Sequence, residues 1–290
     1  MFVALAAALF SSSPVLITWA EPVSPFIKTW ARMLIGSVAV GMAAWYTGAR
    51  ANNGAEKPHV LPSAREPVRI TRFLLYGLIA ATHFFCAIAS LSFTTAAHSL
   101  ALIYTAPIFV TLFSALFLKE SIRPRQRLGV LIAIAGIAIL VGLEPRMSWR
   151  MALGDGLGLL SAVAFGFYSI AGRYERTRYP LLVYASRVYG AAALWLFPLA
   201  LLALPATSPD AFGPRQLGAL VALGLGPLAL GHTLYNAALR RVHATYVNIV
   251  ASQEVTGGII LSWLLLAQVP SPNSLAGALV TLVGVGLVLR

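Results

Sequence analysis

Residues 97–118 read AHSLALIYTAPIFVTLFSALFL, and residues 119–127 read KESIRPRQR. The first stretch holds no acidic residue, lysine or arginine, and a helix of that length, at about 1.5 Å per residue, crosses a hydrocarbon layer roughly 30 Å thick. The second gathers Lys119, Arg123, Arg125 and Arg127, the kind of cluster retained on the cytoplasmic side of a membrane. Near its middle the apolar stretch places Tyr104-Thr105-Ala106-Pro107. Pro107 has no N–H to return to the carbonyl of Ile103, so a polar interruption falls at mid-span. A membrane helix broken near its centre is therefore the first element the chain predicts.

Working outward, the pattern repeats along all 290 residues, of which 59% are hydrophobic and only 10% charged, with mean hydropathy +0.81. Soluble domains carry about a quarter charged residues and cannot bury this much apolar surface. Lipid-facing helices can, because they are free to be apolar on every side. The net charge of +12 does not point to nucleic acid, since the basic residues sit in short gaps between apolar runs and not on one water-facing surface. Apolar runs punctuated by Gly, Pro and charge predict ten spans, at 2–19, 24–47, 72–94, 97–118, 126–141, 153–174, 180–204, 217–239, 244–266 and 275–289. The fifth and tenth are short. The chain opens on apolar residues 2–19 with Pro14 inside them and no basic stretch before them, which predicts a first membrane helix and not a cleaved signal peptide, with room for a short leader ahead of Met1. The one cysteine, Cys86, lies in an apolar run, so neither a disulfide framework nor a metal-ligand spacing is present.

Alternate gaps between these spans differ sharply in charge. Fifteen lysines and arginines fall on one side: Arg50, Lys57, Arg65, Arg69 and Arg72; Lys119, Arg123, Arg125 and Arg127; Arg173, Arg176 and Arg178; Arg240 and Arg241; and Arg290. The other side has Arg146, Arg150 and Arg215, while Lys28, Arg32 and Arg187 fall within spans. The bias predicts both termini in the cytoplasm of a bacterial-type inner membrane.

A duplication is also legible. Pro25 precedes Arg32 by seven residues in the second span, as Pro180 precedes Arg187 in the seventh. Leu128-Gly129 followed by Gly136 matches Ala276-Gly277 followed by Gly284. Five is an odd number of crossings, so two such halves, 1–143 and 144–290, would run through the membrane in opposite senses, as in many secondary transporters.

With Tyr104-Thr105-Ala106-Pro107-Ile108, the helix closing on Leu118-Lys119-Glu120 and the glycine-spaced fifth helix that follows, nearly the whole chain resembles the drug/metabolite transporter superfamily, in particular the EamA-like ten-helix carriers. Within it the run is most similar to bacterial aromatic amino-acid exporters of the YddG type. The resemblance implies an all-α membrane protein of two inverted five-helix repeats and export of small solutes by alternating access. Two departures stand out. Gln253-Glu254-Val255 occupies the place of the family's Glu-Pro-Val, and Gln268 stands where a closing acidic residue is usual, which puts a strictly symmetric mechanism in doubt.

Candidate site residues follow from where polar and aromatic groups share a depth. Pro14, Pro107 and Pro227 lie mid-span and release the carbonyls of Phe10, Ile103 and Leu223; a plain kink is the alternative at each. Beside them lie Ser12 within Ser11–Ser13, His83, Tyr104, Phe165, Tyr168, His232, Tyr235 and Asn236. In the ninth span Thr245, Asn248, Ser252 and Thr256 recur at helical spacing next to Gln253 and Glu254, either as interhelical hydrogen bonding or as a cavity wall. Glu254 is the one carboxylate placed at mid-depth, where an unpaired charge costs at least about 2.5 kcal/mol. It is either a proton- or ammonium-binding group or a neutral, hydrogen-bonded structural acid. Arg32 and Arg187 either snorkel to the interface or gate the cavity by holding helix-end carbonyls or a substrate carboxylate. Asp155 reads either as a charged group at the start of the sixth span or as a helix cap.

The expected function is a carrier for small amphipathic solutes, aromatic and other amino acids first and drugs or other metabolites second, with the bilayer as its surroundings and protons as one candidate coupling ion. No P-loop or strand-borne GxGxxG indicates nucleotide use, and no cofactor or metal is expected. An intramembrane serine hydrolase built on Ser11–Ser13 lacks a GxSxG elbow and a carboxylate to orient a histidine. A channel would have no use for an inverted duplication.

Overall fold

The computed structural model describes residues 2–52, 70–118, 123–142, 147–175, 178–239 and 253–288, and among these there is no strand. In chain order the helices are α1 (Phe2–Ser11), α2 (Ser13–Trp19), α3 (Pro25–Asn52), α4 (Ile70–Phe93), α5 (Ala96–Ile103), α6 (Ala106–Leu118), α7 (Pro124–Gly142), α8 (Trp149–Glu175), α9 (Leu181–Ala203), α10 (Pro214–Leu223), α11 (Thr233–Leu239), α12 (Gln253–Leu266) and α13 (Pro272–Val288). A π-helical stretch, Gly224–His232, joins α10 to α11 without a break.

Polar side chains at the helix starts explain where the elements begin. The Thr95 hydroxyl accepts from His98 N–H at 3.3 Å, Ser148 Oγ from Met151 N–H at 3.2 Å and Ser271 Oγ from Ser274 N–H at 3.0 Å, each satisfying one of the orphan donors of a first turn. Pro25, Pro124, Pro214 and Pro272 sit at first positions, where a missing N–H costs nothing.

Six segments are long and apolar enough to cross a membrane: 25–48, 70–93, 96–117, 149–172, 181–203 and 214–235. Ala4–Trp19, Gly257–Leu266 and Pro272–Leu287 are apolar but shorter. The first of these is interrupted at Ser12, between α1 and α2. The predicted ninth span is described only from Gln253 onward. The segment 96–117 is divided as the sequence anticipates, at Tyr104 and Thr105 between α5 and α6.

Polarity is distributed inside out relative to a soluble domain. Leu75, Leu131, Leu202, Leu264 and Leu279 are exposed, while Lys28, Arg32, His83, His98, Asp155 and Glu175 are buried. An apolar exterior on this scale fits lipid and not water.

Helix packing relies on small residues. α3 runs along α9, α4 lies against both α8 and α9, and α7 packs along α13. A Cβ at Gly136 would meet the backbone of Thr281, and one at Gly284 the backbone of Ala133. The contact is reciprocal: Gly136 and Gly284 are each seventh after Gly129 and Gly277, and Ala133 and Thr281 are each fourth. A second reciprocal crossing has Gly36 against Leu228 and Gly77 against Ala191, with Gly36 eleven residues after Pro25 and Ala191 eleven after Pro180.

Candidate functional site

Three helix interruptions converge. Between α1 and α2 the serines bond backward, Ser11 Oγ to Ala7 O at 2.8 Å and Ser12 Oγ to Leu9 O at 2.6 Å. Between α5 and α6 Thr105 Oγ1 donates to Leu102 O at 2.6 Å. The π-helical stretch carries Pro227. At the first two breaks hydroxyls bond back to carbonyls of the preceding turn, and at the third the turn widens, as is usual where a helix is interrupted.

At their meeting point lies a cavity of about 120 Å³. Its lining includes Phe10 and Ser13 from the first break, Tyr104, Ala106 and Pro107 from the second, and His232 and Tyr235 at the end of the π-helical stretch and in α11. α3 adds Arg32, α4 adds His83, Phe84, Ala87 and Leu91, α8 adds Phe165, and α12 adds Glu254.

The rings form one continuous layer. Phe10 lies 4.8 Å from His232, His232 5.4 Å from Phe84, Phe84 4.6 Å from His83, and His83 4.9 Å from Phe165, between ring centroids. Such tilted and edge-on pairs contribute about 0.5–1.5 kcal/mol each beyond burial. His83 is held in place by Ser161. Its Nδ1 stands 3.0 Å from the Ser161 carbonyl, and Ser161 Oγ donates to the His83 carbonyl at 3.0 Å. Ser161 Oγ also stands 2.9 Å from Nδ1, so the carbonyl and the hydroxyl of one residue both hold this ring nitrogen.

A basic and an acidic side chain join this layer in the lining. The Arg32 guanidinium sits over the Phe84 ring, 4.9 Å from its centroid; the residue is 5% exposed, and its Nε has no hydrogen-bond partner among the described residues. The Tyr104 hydroxyl donates to the Glu254 carboxylate.

Six of the predicted substrate-binding residues, His83, Tyr104, Phe165, His232, Tyr235 and Glu254, thus line one cavity, together with Arg32 and Pro107. Others sit elsewhere. Ser12 and Tyr168 are not in the lining; Ser13 takes the first place, and Tyr168 joins the buried cluster with Tyr184 and Tyr189. Pro14 and Pro227 are buried behind the cavity wall. Arg187 is exposed and lies over Phe73. Asn236 is in α11 and Gln253 opens α12. Asn248 and Ser252 lie outside the described residues, as does Thr245. Asp155 is not a cap: it stands six residues inside α8, accepting from Thr94 Oγ1 at 3.0 Å and pairing with His98 Nδ1 at 3.0 Å.

Leu91 is shared with a second, wider cavity of about 660 Å³, lined by Thr18, Glu21, Ser24, Ser92, Thr94, Arg150 and Gln268. Its walls are polar and tied together: Glu21 Oε1 pairs with the fully buried Lys28 at 2.6 Å and accepts from Ser92 Oγ at 3.0 Å, and Arg150 donates to Ser92 O at 2.9 Å. At the other end of α4 and α8, Glu175 accepts from Tyr76 at 2.8 Å and Arg72 at 3.3 Å and faces Arg178 at 3.6 Å. The wide cavity thus lies toward one end of α4 and α8, and the ion pairs around the buried Glu175 carboxylate tie the two helices together at the other.

Known proteins are similar to this chain. A crystal structure at 22% identity superposes with a TM-score of 0.63, covering 99% of this chain and 95% of the other, which shows a common fold. A probable terminal-alkyne amino-acid exporter of Streptantibioticus cattleyicolor is 27% identical, over 89% of this chain and 82% of its own. The aromatic amino acid exporter YddG of Ancylobacter novellus is 29% identical, over 76% and 71%. The EamA-like transporter family matches twice, over residues 1–142 and 152–290. With nearly its whole length matched, the chain belongs to the EamA-like transporter family and is a multi-pass membrane transporter, not an enzyme.

Proposed function

We propose that the protein exports amphipathic amino acids, aromatic ones foremost, across a bacterial-type inner membrane by alternating access through the central cavity. The observation that carries this is the cavity's lining: a layer of Phe10, Phe84, Phe165, Tyr104 and Tyr235 rings interleaved with His83 and His232 and bordered by Arg32 and Glu254. Rings suit an apolar or aromatic body, and a few polar groups suit a headgroup that must also be released. The names of the two relatives point in the same direction.

Alternating access needs two exchangeable halves, and we propose ten crossings arranged as inverted repeats, 1–143 and 144–290, with both termini cytoplasmic. The double family match and the reciprocal contacts of Gly136 with Thr281 and Gly284 with Ala133 support it, as does the charge bias of the loops. In that topology the Glu21–Arg150 cavity faces away from the cytoplasm, and the Glu175 contacts tie α4 and α8 together toward the cytoplasmic end.

Counterflow in proteoliposomes tests the function. Unlabelled phenylalanine, tyrosine and tryptophan should slow uptake of labelled phenylalanine, and Tyr104→Ala or His83→Ala should weaken that competition. Equal competition by small hydrophilic amino acids, with both variants unchanged, would place the substrate elsewhere; product formation without exchange would rule out a carrier. Competition by drug-like cations but not amino acids would reassign the substrate class.

A further inference from the structure

Resting on that reading of the cavity, we infer that Arg32 and Glu254 read the two ends of a zwitterion, Arg32 taking the substrate's carboxylate and Glu254 its ammonium, so that the substrate must carry both groups unblocked.

Each residue presents an ionisable group to the cavity, and neither is in an ion pair among the described residues. Arg32 is 5% exposed, its guanidinium rests with one face on Phe84, and Nε is left without an acceptor. Glu254 enters the same cavity from α12, where it receives the hydroxyl of Tyr104, a neutral donor. The two line the same cavity without being within ion-pair distance of one another.

Charges removed from water seek a counter-charge with hydrogen bonds to match. The guanidinium fork fits a carboxylate and cannot give up its proton. A carboxylate with one neutral partner retains acceptor capacity for an ammonium. A ligand with one anion and one cation on neighbouring atoms answers both at once and leaves the cavity's net charge unchanged. The ring layer between them, through Phe84 and Phe165, then receives the side chain. A substrate carrying an additional charge would find no further charged partner among the described lining residues, which separates neutral-side-chain amino acids from basic and acidic ones.

The experiment is a competitor series against labelled phenylalanine counterflow in proteoliposomes. Phenylalaninamide keeps the ammonium and loses the carboxylate; 3-phenylpropanoate does the reverse. In wild type, phenylalanine should outcompete both by at least about tenfold, as expected when a buried polar partner is left unmatched. Arg32→Gln should abolish the preference over phenylalaninamide and keep that over 3-phenylpropanoate; Glu254→Gln should do the opposite; Arg32→Lys should recover part of the first preference. Should Arg32→Gln fail to fold in detergent, the wild-type series and Arg32→Lys decide. Phenylalanine exchange in which wild type treats the blocked analogues as equals, or in which both variants keep both preferences, overturns the inference and leaves the carrier standing. Absence of any amino-acid exchange overturns both.

Discussion

α3 and α9 begin alike and end in different surroundings. Each opens at a proline, Pro25 and Pro180, and each carries an arginine seven residues on. Both arginines even rest on an aromatic ring of the same helix, Arg32 on Phe84 at 4.9 Å and Arg187 on Phe73 at 5.7 Å. Phe73 and Phe84 are three turns apart along α4, roughly 16 Å, and that separation changes everything else. Arg32 is buried at the cavity, while Arg187 is exposed near the Glu175 end. Equal spacing in sequence therefore gives equal positions on a helix, but the helix packed against it decides whether a charge lies in the cavity or on an exposed surface. A chain with two related halves can keep one arginine for the site and leave its counterpart at the rim.

The comparison breaks first on transport. Arg32→Ala should lower phenylalanine counterflow by at least about tenfold, whereas Arg187→Ala should stay within about twofold, since an exposed charge contributes about 0–1 kcal/mol. Equal losses at both positions would restore a symmetric gate. Packing supplies the next contrast. Gly136→Ala drives a methyl into the Thr281 backbone, and overpacking of this kind costs about 1–3 kcal/mol; Gly156→Ala, with open space around it, should be neutral or stabilise by up to about 1 kcal/mol. Thermal unfolding in detergent measures both, and a harmless Gly136→Ala would mean that α7 and α13 are not in close contact. A smaller effect concerns pH. If Glu254 must be ionised to hold an ammonium, exchange should rise as pH is raised through its titration, and Glu254→Gln should remove that rise. His83 and His232 face the same cavity, so any pH dependence left in the variant belongs to them. Full activity with an unchanged profile would make Glu254 a structural acid.

Helix positions and interruptions were legible because bilayer thickness and proline chemistry act locally: the break at Tyr104-Thr105 and the role of Tyr104, His83, His232 and Glu254 as neighbours follow from depth alone. Rotation about the helix axis was not legible. Ser12 and Ser13 differ by about 100° around the helix, and in a helix apolar on most sides no amphipathic stripe says which one faces inward. The same ambiguity hid Phe10 and Phe84 as lining residues and put Tyr168 in the cavity when it packs with Tyr184 and Tyr189. The Lys28–Glu21 and His98–Asp155 pairs were missed for another reason: Glu21 lies in the turn before the helix of Lys28, and His98 and Asp155 on two different helices, and sequence alone carries no signal of the 2.6 and 3.0 Å that join them.

Whether this cavity is the path, reached from both sides of the membrane in turn, is decided most directly by access to one of its walls. Cys86 is the one cysteine in the chain, so Cys86→Ala combined with Ala87→Cys places a single thiol in the lining. A membrane-impermeant thiol reagent applied to right-side-out and to inside-out vesicles should label Cys at position 87 from each face, more slowly when phenylalanine is present. Labelling from one face alone, or labelling that phenylalanine does not slow in a variant that still exchanges it, would contradict alternating access through this cavity.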